Sequence, residues 1–489
     1  MNVYLVIDIG TSSMRGILYK QTGEKLFHVQ LSNKPSFLPG RVEQAVADWE
    51  DCLNEIMTQM SRFIKNNQAT LQAIFLTAQR SSLICLDSDG EPLMPAIMWQ
   101  DKRSNEITSE LAAYNQMIIE KTGAPLNPVY LAPKISWVKR YLPEIAAKTT
   151  TYLSIADYIG YQITGEYLTD YTYASRTSLY NIHEEKWDEE LLALFNVEKE
   201  ELCNIIPPAK SGRKTRREFL GKFGIENDVA FVSAGGDQQC SAVGMGVLNE
   251  GDVAVSLGTG GYILSPVKKI KADSAVILNT YPIESHYILE SILPTCSSAV
   301  DWMRSNFFEN LETEEFYSSI KKVLHSNLKT EVIHLPHFQG RGTPDWNNEA
   351  RAAFLQIDFS VTKEQLLLSL LESIAIELKN NITQIESYTK KSIKKVVVAG
   401  GLTNNPAMNQ LISDVLEIEI HKGMDAESTA LGAFLVGMKA LDPTINQEEL
   451  LKNNPSTERE VLYFPNQSKK TYYEEKKEKW NDFYNKINL

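Results

Sequence analysis

Apolar residues along this chain keep two rhythms. Val3-Tyr4-Leu5-Val6-Ile7 is an unbroken apolar run; it ends at Asp8, turns through Gly10-Thr11-Ser12-Ser13 and resumes as Gly16-Ile17-Leu18-Tyr19. That pattern predicts strand, tight turn and strand. It returns in mid-chain as Val253-Ala254-Val255-Ser256-Leu257, a Gly258-Thr259-Gly260 turn, and Gly261-Tyr262-Ile263-Leu264. Two copies of a rare pattern predict two similar halves facing one ligand. Ser256 stands where Asp8 stood, so only the first half keeps a carboxylate suited to a hydrated metal ion.

The second rhythm is helical. Trp49, Leu53, Ile56, Met57 and Met60 recur at helix spacing, and Thr362 with Gln365 forms a capping box opening a long helix. Asp425 to Ala433 reads as a helix of small residues able to pack closely. Tyr473, Trp480 and Tyr484 share one face of a terminal amphipathic helix, which predicts a docked helix. Buried-type strands are expected at Ala73 to Thr77, Leu83 to Leu86, Ala230 to Ser233 and Lys395 to Ala399. Tyr171 to Thr177 reads as a polar and aromatic loop.

Several strand ends carry chemistry. Gly10, Thr11, Ser12 and Ser13 can cradle phosphate with backbone and hydroxyl donors, as can Gly258 and Thr259. Gln79-Arg80-Ser81 follows one strand, and Arg80 there either lines a site or makes a surface ion pair. Trp99-Gln100-Asp101 follows another. Asp237 opens a helix after Gly235-Gly236, as an N-cap or as a catalytic base; the paired glycines favour the base, because they let a substrate approach the backbone. Gly400-Gly401 with Asn404 makes a turn on which a flat base can lie. His334 and His337 have no third ligand nearby and read as structural. Walker A and dinucleotide fingerprints are absent from the sequence.

Bulk properties narrow the class. A chain of 489 residues exceeds one ordinary core. With 49 basic against 62 acidic residues and a net charge of −13, nucleic acid is not an expected partner. The five scattered cysteines form no CxxC pair, and no signal-peptide or membrane-spanning pattern is present, so a cytoplasmic protein outside the membrane is expected. A homodimer is compatible with the sequence.

Taken in order, the two Gly-Thr hairpins, the Gly-Gly-Asp elbow and the Val-Ala-Gly-Gly turn resemble the FGGY family of carbohydrate kinases, from the N-terminus to about Gly437. The resemblance implies an α/β fold of two actin-like, ribonuclease H-like domains, expected at 1–246 and 247–489, with a cleft between them and hinge glycines near Gly244, Gly246 and Gly251. It implies ATP and Mg2+ as cofactors and phosphoryl transfer to a sugar or polyol. Carried over, Gly10, Thr11, Ser12 and Ser13 match the first phosphate loop, Asp8 its magnesium-side carboxylate, and Gly258 and Thr259 the second loop. Gly400, Gly401 and Asn404 match the adenosine motif, and Asp237 the catalytic base. Gln79, Arg80, Trp99, Asp101 and Gln238 are expected to line the sugar site.

The pocket residues match no single subgroup. Glycerol kinases resemble this chain at Trp99-Gln100 and through Thr169 to Thr177, yet have Gln-Arg-Glu where this chain has Gln79-Arg80-Ser81. Their glycerol-contacting Tyr falls on Val129, with Tyr130 adjacent. Xylulose kinases carry Met-His at Arg80 and Ser81. The expected substrate is therefore a ketopentose such as xylulose, with glycerol or another short polyol as the alternative. A catalytically silent sugar sensor and an actin-like ATPase are the readings from other classes.

Overall fold

In the computed structural model, the described residues are 1–489 apart from 211–212, 272–274, 284–285, 327, 424–426, 455–460 and 488–489. Two sheets of like topology form the frame. The first contains β1 (Asn2–Ile9), β2 (Ser13–Tyr19), β3 (Lys25–Ser32), β4 (Thr70–Ala78), β5 (Arg213–Lys214) and β6 (Ala230–Gly236), in the order β5-β6-β4-β1-β2-β3. The second contains β7 (Asp252–Leu257), β8 (Gly261–Val267), β9 (Ile277–Thr280), β10 (Tyr287–Leu293), β11 (Lys395–Ala399), β12 (Ile420–Lys422) and β13 (Val461–Tyr463), in the order β9-β10-β8-β7-β11-β12-β13. In each, a hairpin strand pairs antiparallel on one side and a later strand joins parallel on the other: β1 with β2 and β4, β7 with β8 and β11. The mid-chain recurrence of the Gly-Thr hairpin is thus a recurrence of a whole sheet.

Helices follow the same repeat. α1 (Val46–Asn66) precedes β4, α2 (Ile155–Thr164) precedes β6, and α3 (Asp237–Gly244) follows it. In the second half α4 (Lys363–Thr389), α5 (Pro406–Leu416) and α6 (Ser428–Leu441) take the corresponding places. The spacing of Trp49, Leu53, Ile56, Met57 and Met60 buries all five on the inner face of α1. The Thr362–Gln365 capping box is formed in both directions. The terminal helix α7 (Lys470–Ile487) docks through Tyr473, Trp480 and Tyr484, and the Trp480 indole donates to the His334 carbonyl at 2.8 Å.

Between the two sheets lie α3 and α6, one from each half. Phe434 of α6 stacks on Tyr19 at 4.8 Å and meets Tyr4 and Phe75, so the last helix of the second half packs on the sheet of the first. Small residues make this layer possible. A Cβ at Gly244 would fall 1.9 Å from the Ser428 carbonyl oxygen, and one at Gly432 1.7 Å from that of Cys240. Gly244 therefore serves close approach, whereas Gly246 (φ +74°) and Gly251 (φ +96°) turn the chain into β7. The small-residue helix expected from Asp425 begins at Ser428; Asp425 and Ala426 fall outside the described residues. All five cysteines are buried and unpaired, and no described helix is long and apolar enough to cross a membrane.

Candidate active site in the cleft

Both Gly-Thr turns sit at corresponding ends of their sheets. In the first, the Gly10 amide donates to the Ser13 carbonyl at 2.9 Å, and Asn33 ties the turn down through Gly10 and Ser12. The Thr11 hydroxyl donates to Gln79 Oε1 at 3.0 Å and accepts from Trp99 Nε1 at 3.0 Å. The phosphate-type turn and two expected sugar-side residues are thus one hydrogen-bonded unit. In the second turn the Gly258 and Thr259 carbonyls accept from the Ser297 and Cys296 amides, both at 2.9 Å, where the helix Ser297–Phe307 begins.

Gly400 lies against the second turn. Its φ is +95°, and a Cβ there would meet the Leu257 carbonyl oxygen at 2.5 Å, so only glycine brings this turn beside Gly258. Gly401 has open space around it, and Asn404 is exposed at the end of the same single helical turn. The adjacent Asn405 caps α5 through the Ala407 amide at 3.1 Å.

Asp237 begins α3 without capping it: its Oδ1 accepts from the Gln238 amide at 2.8 Å, and Gly236 occupies the cap position. The elbow beneath it is built from afar. Gly235 has φ +109° and its carbonyl accepts from Thr77 and from the Tyr173 hydroxyl, while the Gly236 amide donates to Thr172. The stretch read as a loop at Tyr171 to Thr177 contains a buried helical turn, Tyr171–Ala174, capped by Asp170, and it supports this strand end. Gly236 also leaves room for Arg80, since a Cβ there would lie 2.7 Å from Arg80 Cδ.

Arg80 is buried beside this elbow. Its Nε lies 3.6 Å from Asp237 Oδ1, and its Nη1 and Nη2 donate to Glu290 at 3.1 and 3.4 Å. Arg176 donates to the same carboxylate at 3.1 Å and to the Tyr130 hydroxyl at 3.1 Å, and Asn279 donates to Glu290 at 3.1 Å. Burial opposes ionisation of Glu290, but the guanidiniums of Arg176 and Arg80 outweigh it and hold the carboxyl below its ordinary value. Ser81, at φ +69°, turns its hydroxyl to the Arg176 carbonyl, and Lys134 holds the carbonyls of Ser81 and Val129 at 2.6 and 2.7 Å. Glu290, Arg176 and Tyr130 carry no local signal: their bonds to one another and to Arg80 span at least 46 residues of chain.

The expected sugar-site residues do not all converge. Gln79 is buried with its Nε2 lacking a partner, and Gln238 is partly exposed beside Asp237. Trp99 reaches Thr11. Asp101 is turned away: its carboxylate accepts from the Val42 amide at 2.7 Å and from Arg103 at 2.8 Å, and Arg103 also pairs with Glu43. These bonds use its acceptor sites and leave it 1% exposed, so it braces the wall rather than lining the pocket. His334 and His337 lie in the second half on Ala353 and Glu377.

Charge in the cleft is unbalanced at one point. Burial pushes Asp8 up to about 7, offset only partly by Arg15 at 3.9 Å, with Asp237 and Glu427 adding to the upward push. Burial also raises Asp237, while Arg80 opposes the shift. A buried carboxylate so poorly compensated suits a bound cation. No group of three or more metal-type ligands occurs among the described residues.

Comparison with known proteins places most of the chain in one family. The model of the N-terminal domain of the FGGY family of carbohydrate kinases matches residues 3–244, and that of the C-terminal domain matches residues 253–441. A gluconokinase of Bacillus subtilis is 25% identical across 90% of this chain and 88% of its own length. A glycerol kinase of Bacillus anthracis is 29% identical across 91% and 92%. The crystal structure of a xylulose kinase from Lactobacillus acidophilus superposes with a TM-score of 0.91 over 100% of this chain and 98% of its own, at 24% identity. With both halves matched by their own family models, this chain belongs to the FGGY family of carbohydrate kinases.

Proposed function

We propose that this kinase transfers the γ-phosphoryl group of ATP to a hydroxyl of a neutral ketose or polyol, a ketopentose such as xylulose foremost, with Asp237 as general base. The observation that carries the reading is the elbow: a carboxylate at the start of α3, one-quarter exposed to the cleft, with Arg80 at 3.6 Å and within the electrostatic reach of Asp8. Asp237 would take the acceptor's proton as the phosphoryl group moves; its raised pKa brings it nearer the working pH of a base. Gly10 to Ser13 on one side and Gly258 with Thr259 on the other would hold the phosphates, and Gly400, Gly401 and Asn404 the adenosine. Mg2+, on the Asp8 side, would neutralise phosphate charge. The two domains, divided at 246–247, would close to exclude water.

Charge supports a neutral acceptor over an aldonate. Arg80 and Arg176 face Glu290 and Asp237, two cations against two anions, and Lys134 is spent on two carbonyls. A substrate carboxylate would find no unspent cation among the described residues of this pocket, and burying it unpaired is costly. Gln79, Arg80 and Gln238 would hold the acceptor hydroxyls. Ser81 cannot replace a glutamate there, since its short side chain turns to the Arg176 carbonyl.

A coupled ADP-release assay with magnesium-ATP tests this across D-xylulose, L-xylulose, ribulose, erythritol, glycerol, dihydroxyacetone and gluconate. A neutral ketose or polyol should exceed gluconate in kcat/KM by about tenfold or more. Gluconate as best acceptor would overturn the charge argument, and full-rate glycerol with silence on pentuloses would establish the short-polyol alternative. Asp237→Asn should lose on the order of 10²-fold or more in kcat and still bind ATP; near-normal turnover would mean the base lies elsewhere.

A further inference from the structure

Among the described residues, Glu290 is the one carboxylate that the second half sends into the Arg80 and Arg176 pair of the first. It stands on β10, its side chain is fully buried, and its oxygens divide among three partners: Arg80 on both, Arg176 on Oε1 and Asn279 on Oε2. Arg80 in turn turns its Nε to Asp237. The guanidinium is planar, so fixing both terminal nitrogens on one carboxylate also fixes the direction of Nε. Tyr262, on the neighbouring strand β8, lies in the field of the same four charged groups.

A buried ion pair is weak evidence for stability, because removing two charges from water costs about what their attraction returns. Its value here is geometric. Resting on the assignment of Asp237 as base, we propose that Glu290 is a positioning residue: from the second half it sets the Arg80 guanidinium against Asp237, so the acceptor site is complete only when the halves are together. Arg80 without Glu290 would be drawn onto Asp237 and compete with the acceptor hydroxyl for its oxygens. A Glu290 serving only to glue the halves would instead weaken both substrates' sites alike.

Steady-state kinetics on the full-length protein separate these cases. Glu290→Gln should lower kcat with the best acceptor by on the order of 10²-fold, the size expected for a reacting group displaced by about 1 Å, and leave the KM for ATP within about twofold. Glu290→Asp, which keeps the charge, should recover much of that loss. Because Glu290 acts through Arg80, adding Glu290→Gln to Arg80→Met should cost nothing further in acceptor kcat/KM. Multiplying effects in the double variant, or losses shared equally by the ATP KM, would overturn the proposal. If Glu290→Gln does not fold, Asn279→Ala removes one bond and no charge, and should give a smaller kcat loss at unchanged ATP KM; no kcat change would count against positioning. Active Asp237→Asn would instead sink the base assignment, a separate failure.

Discussion

Replacing Gly432 by alanine sets two effects of opposite sign against each other. Gly432 lies inside α6, where alanine is the better helix former by about 1 kcal/mol. The new methyl, however, would stand 1.7 Å from the Cys240 carbonyl oxygen, 2.6 Å from its carbon and 2.8 Å from the Gly244 amide nitrogen. Real Cβ atoms do not approach below 3.0 Å, so α3 and α6 must part by at least 3.0 less 1.7, or 1.3 Å. The obstacle is helix backbone, so no side chain can swing aside. A gap of that width around Val243, Leu431 and Phe434 forfeits a large part of their dispersion contacts. Overpacking costs about 1–3 kcal/mol even where side chains can adjust, so the clash should win by about 2 kcal/mol or more. Since α3 starts at Asp237, a shift near 1 Å should also lower kcat on the order of 10²-fold. Thermal melting and ADP release read the two effects. An unchanged or raised melting midpoint with kcat within about twofold would refute the close-packed layer as the frame that seats Asp237.

Gly401→Ala is the contrasting case: with open space around the new methyl, the melting midpoint should hold, while the ATP KM rises several-fold and the acceptor KM does not. An unchanged ATP KM would remove Gly401 from the adenosine site. Asp8 gives a pH dependence. Its folded pKa of about 7 exceeds the ordinary 3.8, so the folded state binds more protons between those values and the nucleotide-free protein loses stability as pH rises through that window. Asp8→Asn should therefore raise the melting midpoint at pH 8, by up to about 4 kcal/mol in stability, and abolish magnesium-dependent turnover. A lower midpoint in that variant would show that Asp8 is well paired without a metal.

Much of this protein is legible in its sequence wherever the governing physics is local. The strand-turn-strand at Val3 to Tyr19, the helix on Trp49 to Met60 and the capping box at Thr362 each depend on neighbours within a turn or a hairpin, and each forms as read. The Gly-Thr turn repeats in sequence because each half builds the same turn, so the two similar halves are legible as well. What only the tertiary structure decides is which side chains meet. Asp101 and Arg80 both follow strand ends, yet one is spent on Val42 and Arg103 and the other reaches Glu290 across 210 residues. Gly236 leaves room for Arg80, and Gly432 for Cys240, contacts that no local pattern records. A turn or a helix face is set by backbone preference and periodicity, whereas a buried ion pair or a glycine contact exists only once distant segments are packed together.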